Sequence, residues 1–217
     1  MSRIARAIAI DLAHHITQRG NNRQNVFLDD EDRSRYIELM EHYSKKYEVS
    51  ILAYCLMDNH VHFICIPKNQ DSLAKTFNYT HMRYTQYWNK KNNRTGHLWQ
   101  GRYFSCIVED EHLMVAAKYV ERNPVRAGIV KKAWDYRWSS ALEHVTEKKG
   151  DIINADLFGA IDKLKEDWKK YIEADEDKNE IKELRMRTTK GIPLGSPEFI
   201  KELEKKFKKK LIRGRVG

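Results

Sequence analysis

Two apolar, β-rich runs lie only two residues apart in this chain. Residues 49–57 read VSILAYCLM, and residues 60–66 read HVHFICI, joined by Asp58-Asn59 and closed by Pro67. A two-residue connection of this kind suits an antiparallel hairpin, and Pro67 cannot donate to a ladder, so it ends the second strand. Both strands are apolar enough to need cover, so the neighbouring segments must supply a packed layer.

The flanks supply it. Residues 12–18, LAHHITQ, read as a short strand followed by the polar turn Gly20-Asn21-Asn22. Asp29 or Asp30 can cap a helix to about Tyr47, with Tyr36, Ile37, Leu39, Met40 and Tyr43 at helical spacing. Residues 71–90 predict a second helix carrying Leu73, Phe77, Tyr84 and Trp88. A loop at 92–101 precedes a strand at 102–108, and a third helix runs from Asp110 or Glu111 to about Asn123, where Pro124 is expected to stop it. The order strand, helix, strand, strand, helix, strand is the ferredoxin-like split βαβ pattern. The expected class is α+β: an antiparallel sheet with helices on one face and an added C-terminal helical extension. We place the boundary near residue 145, giving a domain over 1–145 and a helical, basic extension over 146–217. Residues 173–180 are acidic, whereas residues 201–217 hold eight Lys/Arg against two Glu.

Composition narrows the function. Of 217 residues, 40 are Lys or Arg and 31 are Asp or Glu, so the net charge is +9 and an anionic partner such as nucleic acid is the first candidate. Cys55, Cys65 and Cys106 form no CxxC pair, which argues against a disulfide framework and a cysteine zinc finger. No apolar run approaches the roughly 18 residues of a transmembrane helix, and no signal peptide is read at the start; a cytoplasmic setting is expected.

His60-Val61-His62 is the sharpest local feature. Side chains at i and i+2 of a strand share a face, roughly 6–7 Å apart by strand rise, which suits two ligands of one metal ion. A pair of histidines bonded locally would give the same pattern. With no HExxH and no cysteine pair, two imidazoles plus an oxygen ligand fit an open site for Mg²⁺ or Mn²⁺ better than a structural zinc. Tyr119 and Asn123 lie four apart on one helical face. Tyrosine can attack phosphorus, but composition alone favours an amphipathic core residue, one of eleven tyrosines in the chain.

Residues 81–105 contain Arg83, Lys90, Lys91, Arg94 and Arg102 with no acidic residue, interleaved with Tyr84, Tyr87, Trp88, Trp99 and Tyr103. Basic groups neutralise phosphates and aromatic rings stack unpaired bases, so this composition suits single-stranded or hairpin DNA. A solvated helix face with its aromatics in the core would look the same. Arg19, Asn21, Asn22 and Arg23 are candidates for reading a sequence beside a hairpin, or form an ordinary polar turn.

The stretch Met57-Asp58-Asn59-His60-Val61-His62-Phe63 resembles the HUH motif (His, hydrophobic, His) of single-tyrosine transposases. HHITQRGNNRQ at 14–24, GHLWQGRYFS at 96–105, KYVERNPVRAGIV at 118–130 and YRWSS at 136–140 resemble the REP-associated tyrosine transposases. The resemblance implies a ferredoxin-like HUH endonuclease fold. It implies His60 and His62 as metal ligands, Tyr119 as nucleophile, and Asn123 where insertion-sequence relatives carry a glutamine ligand. It implies DNA contacts by Arg19, Asn21, Arg23, Arg83, Arg94, His97, Trp99, Gln100 and Arg102. The activity implied is metal-dependent endonuclease and strand transferase on single-stranded DNA with a palindromic hairpin, through a 5′-phosphotyrosine, by a nucleoid-associated monomer or homodimer. A non-catalytic hairpin-binding regulator is the alternative. The segment 184–199 resembles an extension of longer members, with Ser196 and Pro197 opening a helix.

Overall fold

The computed structural model describes residues 7–146, 150, 152–159 and 167–212. Strand β1 (Ala13–Arg19) leads through helix α1 (Asp30–Lys46) into the hairpin of β2 (Val49–Met57) and β3 (His60–Pro67). Helix α2 (Ser72–Lys91), strand β4 (Phe104–Val108) and helix α3 (Asp110–Glu121) follow. The sheet order is β2-β3-β1-β4, and all three pairings are antiparallel. This is the expected ferredoxin-like arrangement, with the Asp58-Asn59 turn setting Met57 opposite His60.

Local chemistry accounts for the elements. Asp29 caps α1 by accepting from the Asp32 amide at 2.9 Å, and Asp32 reaches back to the Leu28 amide at 2.8 Å. Acidic residues fill the first turn and Lys45 and Lys46 the last, matching the helix dipole. Helices α1 and α2 pack together over one sheet face. There Phe27, Tyr36, Phe63, Phe77 and Tyr84 form a buried aromatic cluster with ring centroids about 5–6.5 Å apart. Removing such a side chain from water contributes about 1.5–3 kcal/mol.

The opposite sheet face is covered by α3 and by chain that follows it, so helices lie on both faces and not on one as expected, because the apolar β strands need cover on each side. Helix α3 ends at Glu121, Arg122 breaks the regular geometry, and Asn123–Arg126 forms one more turn, α4. Pro124 therefore opens a turn instead of ending the helical path, because its missing N–H is harmless at a first helical position. The helices α5 (Ala141–Thr146), α6 (Trp168–Glu173), α7 (Lys178–Lys190) and α8 (Pro197–Phe207) complete the described residues. Gly191, at φ 67°, caps α7 in the left-handed region that glycine adopts without strain and turns the chain back toward β4. Ser196 caps α8, accepting from the Phe199 amide at 3.1 Å. None of the helices among the described residues is long and apolar enough to cross a membrane.

Later segments close both sheet edges. Leu194 bridges Val108 on β4, with the Leu194 amide donating to Ile107 O at 2.8 Å and the Glu109 amide to Leu194 O at 2.9 Å. On the far edge, Ser139 bridges Cys55, and the Leu56 amide donates to Trp138 O at 2.9 Å. The Ile51 amide finds Asn154 Oδ1 at 2.6 Å.

Candidate active site and nucleic-acid groove

The alternation of β3 decides where its histidines go. Phe63 faces the α1/α2 cluster, so His60 and His62 face the α3 side. Their ring centroids lie 5.0 Å apart. Strand β1 runs alongside in register, Thr17 opposite His62 and Arg19 opposite His60, and places His15, Thr17 and Arg19 on the same side. Helix α3 lays Tyr119 across them, with its ring edge-on to His62 at 5.5 Å and to His15 at 5.6 Å. Together with Asn123, Arg126, Arg185, Thr188 and Thr189 these residues line a pocket of about 440 Å³.

Hydrogen bonds orient the imidazoles. His60 Nδ1 bonds Asn59 Oδ1 at 2.6 Å, and His62 Nδ1 bonds His15 Nε2 at 3.0 Å. In both rings Nε2 is the nitrogen outside those bonds. Burial lowers His60 to about 4, reinforced by the positive charges of Arg19, Arg126 and Arg185. His62 is pushed well below its ordinary value by burial first and by its neighbours His60 and His15 next. Burial, with Arg126, lowers His15 to about 3. The three rings are therefore neutral near pH 7, the form in which imidazole ligates metals.

Tyr119 is buried apart from 4% of its surface. Its hydroxyl accepts from Arg185 Nε at 3.1 Å, and the Arg126 guanidinium sits 4.2 Å from its ring centroid. Arg126 also holds the Tyr119 carbonyl and pairs with Glu176 at 2.6 Å. Asn123 spends its Nδ2 on the carbonyls of Tyr119 and Val120, both at 3.2 Å, so its Oδ1 is the atom not committed to the helix. Among the described residues no three His, Cys, Asp or Glu side chains cluster as a metal site. Two neutral imidazoles with Nε2 unengaged and one amide oxygen do fit an open divalent site that leaves positions for substrate.

The other named residues divide by location. Asn21, His97, Trp99, Gln100 and Arg102 meet along a groove of about 750 Å³ between α2 and the 97–103 loop. That loop is laced to the end of β1: Gln100 N donates to Arg19 O and Asn21 N to Leu98 O, both at 2.8 Å, and Gln18 Nε2 donates to Gly101 O at 2.8 Å. Gly20 sits in the crossing, where a Cβ would meet Gln24 O at 2.3 Å. Arg19 thus anchors the groove through its carbonyl and lines the pocket with its side chain. Arg23 and Arg94 are exposed nearby in sequence, whereas Arg83 lies on a separate surface of α2 with Lys90 and Arg35. Trp99 is only 7% exposed: its ring stacks on His81 at 4.4 Å and leans on Tyr36 and Tyr84. It is a core ring with one edge on the groove, which is why a polar-looking loop hides it.

His15, Arg126, Arg185, Thr188 and Thr189 escaped the sequence reading as site residues. For His15 the signal was present, since period-two alternation in β1 aligns it with Thr17 and Arg19. Arg126 was also within reach, seven residues beyond Tyr119 on a helical path. Arg185, Thr188 and Thr189 come from a distant helix, and nothing local in the sequence places them.

Residues 9–123 match the protein-family model described as "Transposase IS200 like". A solved structure of a REP-associated tyrosine transposase bound to a REP hairpin is similar, with 18% identity, a TM-score of 0.57, and coverage of 72% of this chain and 93% of that one. A second, described as a transposase candidate from Deinococcus radiodurans R1, shares 18% identity at a TM-score of 0.39, covering 59% of this chain and 92% of that one. No curated protein matches.

Proposed function

Because this chain belongs to the IS200-like transposase family, we propose that it cleaves and rejoins single-stranded DNA bearing a palindromic hairpin, with Tyr119 as the nucleophile. The observation that carries this reading is the placement of Tyr119 against the two strand-borne imidazoles in one pocket, with its hydroxyl on Arg185.

In this mechanism the Tyr119 oxygen attacks the scissile phosphorus. The bond from phosphorus to the 3′ oxygen breaks as the bond to tyrosine forms. The phenol gives up its proton to solvent, the 3′ oxygen takes one from solvent to become a free hydroxyl, and the 5′ phosphate stays on Tyr119. Reversal by another 3′ hydroxyl rejoins the strand, since the phosphotyrosine keeps the energy of the broken bond. Arg185 on the Tyr119 hydroxyl and Arg126 over its ring set positive charge near the attacking oxygen, where it would favour an incoming phosphate. His60, His62 and Asn123 would hold Mg²⁺ or Mn²⁺, which when bound polarises the phosphate. Asn21, His97, Gln100 and Arg102 would take the DNA beside the hairpin, joined by Arg19, Arg23, Arg94 and Arg83.

The test is incubation with labelled hairpin-bearing single strands and Mn²⁺, followed by denaturing electrophoresis. A covalent adduct is expected from the wild type. Tyr119→Phe should lose the adduct and keep hairpin binding. His60→Ala and His62→Ala should each lose metal-dependent cleavage and Mn²⁺ affinity by calorimetry. Tight hairpin binding with no adduct from the wild type would instead favour a non-catalytic regulator.

A further inference from the structure

We propose that Thr188 and His15 are positioning residues that fix His62 as its Nδ1–H tautomer, leaving its Nε2 lone pair aimed away from them into the pocket. The proposal rests on the reading of His60 and His62 as the cation-binding pair.

Bond accounting sets the direction of the relay. The Thr188 hydroxyl lies 2.8 Å from Leu184 O, and a carbonyl can only accept, so the hydroxyl proton is committed there. Thr188 Oγ1 must then accept at its other contacts, from His15 Nδ1 at 2.8 Å and from the Cys106 thiol at 3.2 Å. A neutral imidazole carries one ring proton, and His15 has spent it on Thr188. Its Nε2 is therefore an acceptor, and the 3.0 Å bond to His62 Nδ1 is donated by His62. The two ring planes are parallel to within 2°, and with 3.0 Å between the nitrogens the centroids stand 5.2 Å apart, the spacing of rings joined nitrogen to nitrogen and not face to face. Thr188 is 2% exposed, His15 1% and His62 5%, so water does not compete for these bonds.

The opposite order would break the Thr188–Leu184 bond and point an Nε2–H of His62 into the pocket, where it would repel a cation. Ligating histidines commonly owe their tautomer to a partner on the other ring nitrogen. Here that partner is itself set by a threonine of α7. Helix α7 is thereby wired to the pair on β3 through β1.

Nitrogen-15 NMR of the full-length protein, labelled at histidine and free of metal, reads the tautomer directly. We expect a protonated Nδ1 and an unprotonated Nε2 for His62 in the wild type. Thr188→Val keeps the shape and removes the hydroxyl. It should give mixed tautomers at His62 and lower Mn²⁺ affinity by about 10-fold or more, the usual consequence of losing an outer partner. Thr188→Ser should restore both readouts. A protonated Nε2 in the wild type would overturn the relay, as would an unchanged tautomer and Mn²⁺ affinity in a folded Thr188→Val. The wild-type spectrum decides the matter even if the valine variant does not fold. Failure of wild-type Mn²⁺ binding would refute the cation reading of the site, while the tautomer would still judge the relay separately.

Discussion

Glu121 has no exposed surface, and its carboxylate is tolerated there because donors converge on it. Ser140 Oγ reaches it at 2.5 Å and Trp168 Nε1 at 3.1 Å, while His144 Nδ1 completes the set. Burial is the largest single influence and lowers His144, but the charge and hydrogen bond of Glu121, with the charges of Glu143 and Asp156, together outweigh it and hold the ring above its ordinary 6.5. A raised folded value means that this pair stabilises the fold fully below about pH 6.5 and loses that contribution as pH climbs through the raised value. Urea unfolding across pH 6–9 should show stability falling over that rise, and His144→Gln should flatten it. His144→Ala should destabilise by about 3–5 kcal/mol, since it strands a buried charge. Trp99 offers a second test at this scale. As a core ring, Trp99→Ala should cost about 3–5 kcal/mol in the same assay. Normal stability with weakened binding to unpaired strands would return it to base stacking.

Among the elements, the strands and α1 to α3 were legible because each has its own periodicity and a local stop: the Asp58-Asn59 turn, Asp29 as cap, Pro67 at the hairpin's end. Pro124 was the instructive exception. The rule that proline ends a helix competes with its aptness for a first turn, and only the course of the chain beyond it decides between them. The candidate site was half legible for a similar reason. The His60/His62 and Tyr119/Asn123 spacings are local, but only the resemblance to single-tyrosine transposases gives those residues roles, whereas Arg185 reaches Tyr119 from α7 through packing alone. If its bond to the tyrosine hydroxyl helps the attacking oxygen, Arg185→Gln should slow single-turnover cleavage roughly 10- to 100-fold, the worth of one charge-assisted hydrogen bond (about 1.5–3 kcal/mol). Hairpin binding should change little by comparison. An unchanged cleavage rate would leave Arg185 a packing residue.

For the molecule as a whole, the net charge of +9 makes ionic strength the natural probe of DNA binding. On a single strand, log affinity should fall with log salt by about 0.7 per phosphate neutralised. Replacing both Arg94 and Arg102 by glutamine should flatten that slope by roughly 1–2 units; a wild-type slope near zero would remove phosphate contacts from the account. The closed sheet edges have a consequence of another kind, in time. Strand β2 ends at residue 57 but its outer neighbour begins at 138, and β4 ends at 108 while Leu194 seals it from far downstream. At about 5–20 residues per second, each edge stays bare on the ribosome for roughly 4–16 s after its strand is made. A bare edge is a template for pairing with another chain. A protein ended at residue 146 would keep the Trp138 and Ser139 contacts on β2, lose those of Asn154, and never acquire the Leu194 contact on β4. Sedimentation velocity should find that shortened chain associating further than the full-length protein, and equal association would mean that the Leu194 contact does not guard the edge against the chain's own copies.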